Sequence, residues 1–275
     1  MKLYISADME GISGIIDPSY IDPDRGKNYE RGRRLMTHDV NAVIEAAVEF
    51  GATEILVADS HYKMSNLLIE ELHPQATLLC GSPRNFSMME GLDSSFDAAL
   101  FVGYHARHGI PGVLSHTMSG VIKNLYVNGQ VVGEFGFNAI YAALCGVPVC
   151  FVSGDDQIAQ EAIELCPSIS TAIVKRAVSR TSAACLSLSA SARELKEKTK
   201  QALTSVPLLT PLGVKVPLEL AIEFAHTGQA EMAAIVPGTE YRVGTTHVTF
   251  QAQDQYELYK VMRAMINLAG TVEFC

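Results

Sequence analysis

Along its first 165 residues the chain keeps alternating two textures, short runs of β-branched and other apolar residues and longer amphipathic segments, and this pattern restricts the fold to an α/β sheet. Lys2–Ala7, Glu54–Ala58, Thr77–Cys80, Ala98–Val102 and Val147–Val152 read as strands. Asn28–Phe50, stopped by Gly51, the short Asn66–Leu72, Glu134–Leu144 and Gln157–Leu165 read as helices. The expected fold is a mainly parallel open sheet with helices on both faces, an αβα sandwich, with a smaller C-terminal α/β domain.

After Pro167 the texture changes. A strand near Thr171–Lys175, a Ser/Ala-rich stretch and the charged helix Ser191–Leu203 lead past Pro207, Pro211 and Pro217 to Leu218–Phe224, Tyr241–Gln251 and the helix Gln255–Leu268. This implies a domain over 1–168 and a smaller α/β domain over 169–275, with the boundary somewhere in 165–210. Asn128-Gly129 between two apolar runs predicts a hairpin over 125–132, because both residues accept the positive φ of a type I′ turn.

The 275 residues are 48% hydrophobic and 19% charged, enough apolar material for a substantial core, and the net charge of −9 argues against a nucleic-acid or anionic-membrane surface. The long uncharged stretch from Phe135 to Gly154 is interrupted by Gly146-Val147-Pro148, so it reads as a helix end and a strand, not a membrane span. The N-terminus enters a strand without a basic, then apolar, leader, which implies a cytoplasmic location. Six cysteines without a CxxC pair read as small buried apolar residues.

Three strands end in metal-competent polar residues. SADMEG places Asp8 and Glu10 after the first strand, ADSH places His61 after the second, and GYH places His105 after Ala98–Val102. Ligands of open parallel sheets bind at these carboxyl ends, so a sheet could gather side chains nearly a hundred residues apart. Glu134 follows the hairpin at a helix start. Carboxylate oxygens and imidazole nitrogens suit hard or borderline divalent ions, and five such groups exceed what one tetrahedral zinc needs. They suit two ions about 3.5–4 Å apart, bridged by a carboxylate and a water.

Each residue also has a plainer reading. Asp8 could cap a turn, Glu10 could face water, each His could be a structural hydrogen-bonding group, and Glu134 could serve the helix dipole. His116, in LSHTMS, lies in a loop with no apolar pattern to absorb it and could move a proton near neutral pH; His108 competes for that role. His38 reads as solvent-facing. Asp155 and Asp156 are reserve ligands, although an Asp before a helix is usually an N-cap.

The strings SADMEGISG, ADSHYKMSNL, GLDSSFDAALFVGYHAR, PGVLSHTMSG, NGQVVGEFGFNA and VSGDD, followed by IEFAHTGQAEMAAIVPG and the terminal cysteine, resemble the M55 family of metallopeptidases in order along the whole chain. The resemblance implies a binuclear zinc site, two Zn²⁺ per subunit, held by Asp8, Glu10, His61, His105 and Glu134, with His116 as the catalytic residue. It further implies hydrolysis of the N-terminal residue of short, D-amino-acid-containing peptides by a metal-bridging hydroxide, and a ring-stacked decamer whose chamber admits only small peptides. A binuclear phosphoesterase is the alternative enzyme, weakened by the lack of a GxxxxGK loop and the scarcity of Arg near the motifs apart from Arg107. A non-catalytic metal- or peptide-binding oligomer is the alternative outside enzymes.

Overall fold

The computed structural model describes residues 1–24 and 26–272. The terminal Cys275 of the sequence resemblance lies outside them. Twelve strands and six helices are described: β1 (Lys2–Ala7), α1 (Tyr29–Phe50), β2 (Glu54–Asp59), β3 (Ala76–Leu79), β4 (Ala98–Val102), β5 (Ile122–Val127), β6 (Gln130–Val132), α2 (Glu134–Leu144), β7 (Val149–Asp155), α3 (Asp156–Leu165), β8 (Ser170–Ser179), β9 (Ser182–Cys185), α4 (Leu188–Ser205), β10 (Leu218–Phe224), α5 (Thr227–Ala233), β11 (Glu240–Tyr241), β12 (His247–Ala252) and α6 (Gln255–Ala269).

Seven strands form the main sheet in the order β3-β2-β1-β4-β7-β8-β9, parallel except for β9. One face is closed by α1 and α4, which pack on Leu3, Ile5, Leu100 and Val102. The opposite face carries Tyr4, Phe101 and Val152 into a larger core shared with α2, α3, α6 and the second sheet. Each fully buried Leu, Ile or Phe contributes about 1.5–3 kcal/mol relative to an exposed one, so the two-sided burial of β1 and β4 makes them the rigid centre of the molecule. The chain passes to opposite sides of β1 through β2 and β4, so the crevice above the carboxyl ends of β1 and β4 is the switch point of the sheet.

The second sheet is antiparallel, in the order β11-β12-β10-β5-β6, with α5 and α6 beside it. It recruits the hairpin β5-β6 from the first half of the chain, while β8, β9 and α4 belong to the seven-stranded layer. The segment 169–205, assigned from sequence to the smaller domain, therefore completes the larger sheet, and residues 122–132 leave it. Residues 122–132 leave because β5 pairs with β10 far along the chain, whereas β8 stays because it pairs with the nearby β7.

Two expected elements differ. Asn66–Leu72 forms turns, not a helix: the Asp59 carboxylate takes the amides of Asn66 and Leu67, and Thr37 Oγ1 takes that of Leu68 at 3.1 Å. Tyr241–Gln251 divides into β11 and β12 around Gly244, whose φ of +82° makes the turn. The Asn128-Gly129 turn has φ of 51° and 75°, as its sequence requires, and Gly51 closes α1 at φ +104°.

Candidate metal centre

The chain leaves β1 at Asp8 and crosses the end of β4. Asp8 N donates to Val102 O at 2.8 Å, and Gly11 N to Gly103 O at 2.7 Å. A Cβ on Gly11 would sit 1.9 Å from Tyr104 O, so glycine is obligatory where the loop presses on the next strand end. Gly103, at φ +73°, yields on the other side, where a Cβ would lie 2.3 Å from Asp8 O. These contacts turn Asp8 and Glu10 inward, and both are buried.

The other side chains arrive from four directions. His61 follows β2, where Asp59 and the Asn66 side chain brace its loop: Asn66 Nδ2 donates to Asp59 Oδ1 and to His61 O, each at 2.7 Å. His105 follows β4. Glu134 opens α2, carried in from the second sheet by β6. His116 lies in a loop pinned to the turn between β8 and β9, where Arg180 donates to Ser115 O and Leu114 N to Arg180 O.

The six sequence-predicted residues meet at one place. His61 Nδ1 lies 3.3 Å from Asp8 Oδ1 and 3.1 Å from Glu10 Oε2. His105 Nε2 lies 3.5 Å from Asp8 Oδ2 and 3.2 Å from Glu134 Oε1, and His116 Nε2 is 3.4 Å from that same Glu134 oxygen. The His105 and His116 rings stack with centroids 4.1 Å apart. Three overlapping donor groups result, Asp8-Glu10-His61, Asp8-His105-Glu134 and Glu10-His105-His116, each with its ligand atoms within 4.8 Å of one another.

Each imidazole spends one nitrogen on a backbone carbonyl. His61 Nε2 faces Ile21 O at 2.8 Å, His105 Nδ1 faces Ala106 O at 3.0 Å, and His116 Nδ1 faces Leu114 O at 3.0 Å. A carbonyl only accepts, so that nitrogen carries hydrogen and the neutral ring turns its lone pair inward. Asp8 Oδ2, Glu10 Oε2 and His105 Nε2 are buried without a hydrogen-bond partner. Inward lone pairs beside inward carboxylates, with orphaned buried atoms, fit a divalent cation.

Opening onto Asp8, Glu10, His61, His116 and Glu134 is a cavity of about 520 Å³, walled also by Ile21, Tyr62, Met64, Met88 and Met118. Tyr62, Met64, Ser87 and Met118 on this wall, and Leu114 beside it, have positive φ between 42° and 59°. Backbone strain of this kind concentrates at functional sites. No Lys or Arg is among the described lining residues, which leaves a phosphoryl group without a positive side chain to meet it.

Residues 1–264 match the peptidase M55 family, described as D-aminopeptidase. The chain belongs to the M55 family. It is 50% identical over 275 residues to the D-aminopeptidase of Bacillus subtilis (strain 168), covering 100% of both chains. Its fold superposes with a TM-score of 0.98 and 49% identity, again over 100% of both chains, on a solved structure described as the Zn-dependent D-aminopeptidase DppA from Bacillus subtilis, a self-compartmentalizing protease. M55 membership makes the chain a hydrolase of peptide bonds.

The remaining sequence candidates of this M55 chain fall elsewhere. His108 is exposed and does not line the cavity, so His116 alone of the two faces it. Asp155 N-caps α3, accepting from Gln157 N and Ile158 N at 3.0 Å each, and Asp156 accepts Ala177 N. His38, expected to face solvent, is half-buried against Asp39 at 3.1 Å. Sequence reasoning missed Asp59 and Asn66, although the run ADSHYKMSN contains both.

Charge in this M55 site is balanced by protons when no cation is bound. Burial and the adjacent Glu10 push Asp8 up to about 8. Burial opposes the charge on His105, yet Glu134 and the other carboxylates raise it to about 10; His61 is likewise raised well above its ordinary value by Glu10 and Asp8. Burial disfavours ionised Glu10 and Glu134, but His61 and His105 respectively outweigh it and hold both low. His116 is pushed below its ordinary value, by burial and then by His105. Without a cation the raised Asp8, His61 and His105 favour their protonated forms, and a cation must displace those protons. Affinity for the cation is expected to rise with pH from 6 to 8, with release of protons on binding, because ligands must give up their protons to hold a metal; calorimetry in buffers of different ionisation enthalpy measures it.

Proposed function

We propose that this chain is a zinc-dependent aminopeptidase that removes the N-terminal residue, of D configuration, from short peptides at a centre of two cations. Asp8 carries the argument for a pair: its two oxygens face different histidines, so it belongs to two donor groups at once. Asp8, Glu10 and His61 would hold one ion, and Asp8, His105 and Glu134 the other. Bound zinc supplies Lewis acidity, polarising a carbonyl oxygen and lowering the pKa of water from about 15.7 toward about 7.

The protein's own groups do the rest. His116 lines the cavity with Nδ1 fixed on Leu114 O, so its free Nε2 accepts a proton from the nucleophile and returns it to the leaving amine. Its lowered basicity keeps it neutral at pH 7, in the accepting form. Glu134 Oε1 takes the Met118 amide at 2.7 Å, which holds that oxygen against the Nε2 edges of both stacked rings. The methionine wall excludes water around the scissile bond and admits a small side chain.

Assembly into a closed oligomer, a decamer, agrees with the self-compartmentalizing description of the Bacillus subtilis structure. A cytoplasmic setting agrees with the five cysteines among the described residues all being free.

The decisive experiment follows amino-acid release from D-Ala-D-Ala and L-Ala-L-Ala in parallel. Release from the D,D peptide is expected to disappear with a chelator and return with zinc. Equal turnover of the L,L peptide would reject the stereochemical assignment, and turnover indifferent to chelation would reject the metal.

A further inference from the structure

Lys175 is a lysine without a role in the chemistry above, yet it is 1% exposed, on β8 in the middle of the protein. Its ammonium donates to three carbonyls of one loop: Glu10 O at 2.6 Å, Ile12 O at 2.9 Å and Ile15 O at 2.6 Å. An ammonium has three N–H donors, so this set uses all of them and leaves none for substrate or solvent. The loop begins at Asp8 and Glu10, and its last carbonyls curl back over the sheet toward β8.

The same loop is gripped with opposite polarity from α1, where the buried Asp39 carboxylate accepts Ser13 N at 2.8 Å. Its inward amide and its inward carbonyls therefore each meet a charge, and charged partners make the stronger hydrogen bonds. Burial pushes the Lys175 amine down to about 8, with Asp155 opposing, so it is predominantly a cation at neutral pH. Keeping a buried ammonium is costly unless its bonds accomplish something a hydrophobic residue could not.

We propose that Lys175 is a positioning residue of the metal centre: by clamping the Glu10, Ile12 and Ile15 carbonyls it holds the loop in the curl that turns the Asp8 and Glu10 carboxylates onto the cations. The proposal rests on the binuclear reading of the site. Lys175 acts on the ligands through the backbone, much as an outer partner of a metal ligand does, where loss commonly costs about 10–100-fold in metal affinity or activity.

The test measures zinc affinity by chelator competition in the full-length protein, for wild type, Lys175→Met, Asp8→Ala and Leu203→Ala. Leu203 is fully buried in α4 beneath the sheet, and its truncation is a control for lost stability alone. Lys175→Met is expected to bind zinc about 10–100-fold more weakly, while Leu203→Ala melts earlier but binds as wild type does. Lys175→Gln, which keeps two donors without the charge, should show a smaller deficit of the same kind, and it carries the test if Lys175→Met does not fold. A folded Lys175 variant with wild-type zinc affinity overturns the proposal, as does an equal loss in Leu203→Ala. Zinc binding by wild type that Asp8→Ala leaves intact overturns the reading of the site itself.

Discussion

Asp8→Ala is expected to empty both halves of the metal centre at once. Its carboxylate is the one group common to the Asp8-Glu10-His61 and Asp8-His105-Glu134 sets, so no neighbour can replace it. Zinc content should fall from about two ions per subunit toward none, and with it a Lewis-acid contribution of several kcal/mol, which at about 1.4 kcal/mol per decade is at least roughly a thousandfold in rate. The variant should nevertheless fold. Without metal, Asp8 Oδ2 is a buried acceptor with no partner, and Asp8 titrates near 8 instead of near its ordinary 3.8. Between those values the native state binds more protons than the unfolded chain, so the metal-free wild type loses stability as pH rises from 3.8 through 8. Raised His61 and His105 act in the same direction above their ordinary value of 6.5. Removing Asp8 removes its share, and metal-free Asp8→Ala should melt above metal-free wild type at pH 8. Elemental analysis with paired melting curves checks both; a variant retaining two zinc ions would refute the shared role.

His116→Ala is expected to separate chemistry from metal binding. His116 belongs to a donor group with Glu10 and His105, but its side chain is the least buried of the three imidazoles at the site, 29% exposed against 10% for His61 and 1% for His105. Loss of acid-base transfer costs roughly 10²–10⁴-fold. That loss should appear in kcat, with zinc content and KM near wild type, if as proposed the ring moves a proton in the transition state and holds no ion. The acidic limb of the pH profile should disappear with it. A variant that loses zinc in proportion to activity would reassign His116 as a ligand.

The sequence exposed the centre of this molecule better than its periphery. Asp8, His61 and His105 were legible because parallel strands place their carboxyl ends side by side, and a buried strand followed at once by an acid or a histidine is readable locally. Glu134 was legible as a residue but its route was not: it reaches the site from the antiparallel sheet, through pairing of β5 with β10, residues about a hundred apart. β8, by contrast, joins the larger sheet through its near neighbour β7, and β9 follows it by a hairpin. Asn66–Leu72 reads as a helix by its local texture, but the Asp59 carboxylate takes the Asn66 and Leu67 amides and turns the chain instead. Lys175 gave no sign at all, since a lysine in a strand reads as exposed until the three carbonyls above it are seen.

Because Glu134 is delivered by one sheet and Asp8 and His105 by the other, a cation gripped by all three is also a fastener across the joint between the layers. Ion binding would then add to the cohesion that the shared apolar core already gives the two layers, so the joint tightens when the site is filled without depending on the ion to hold.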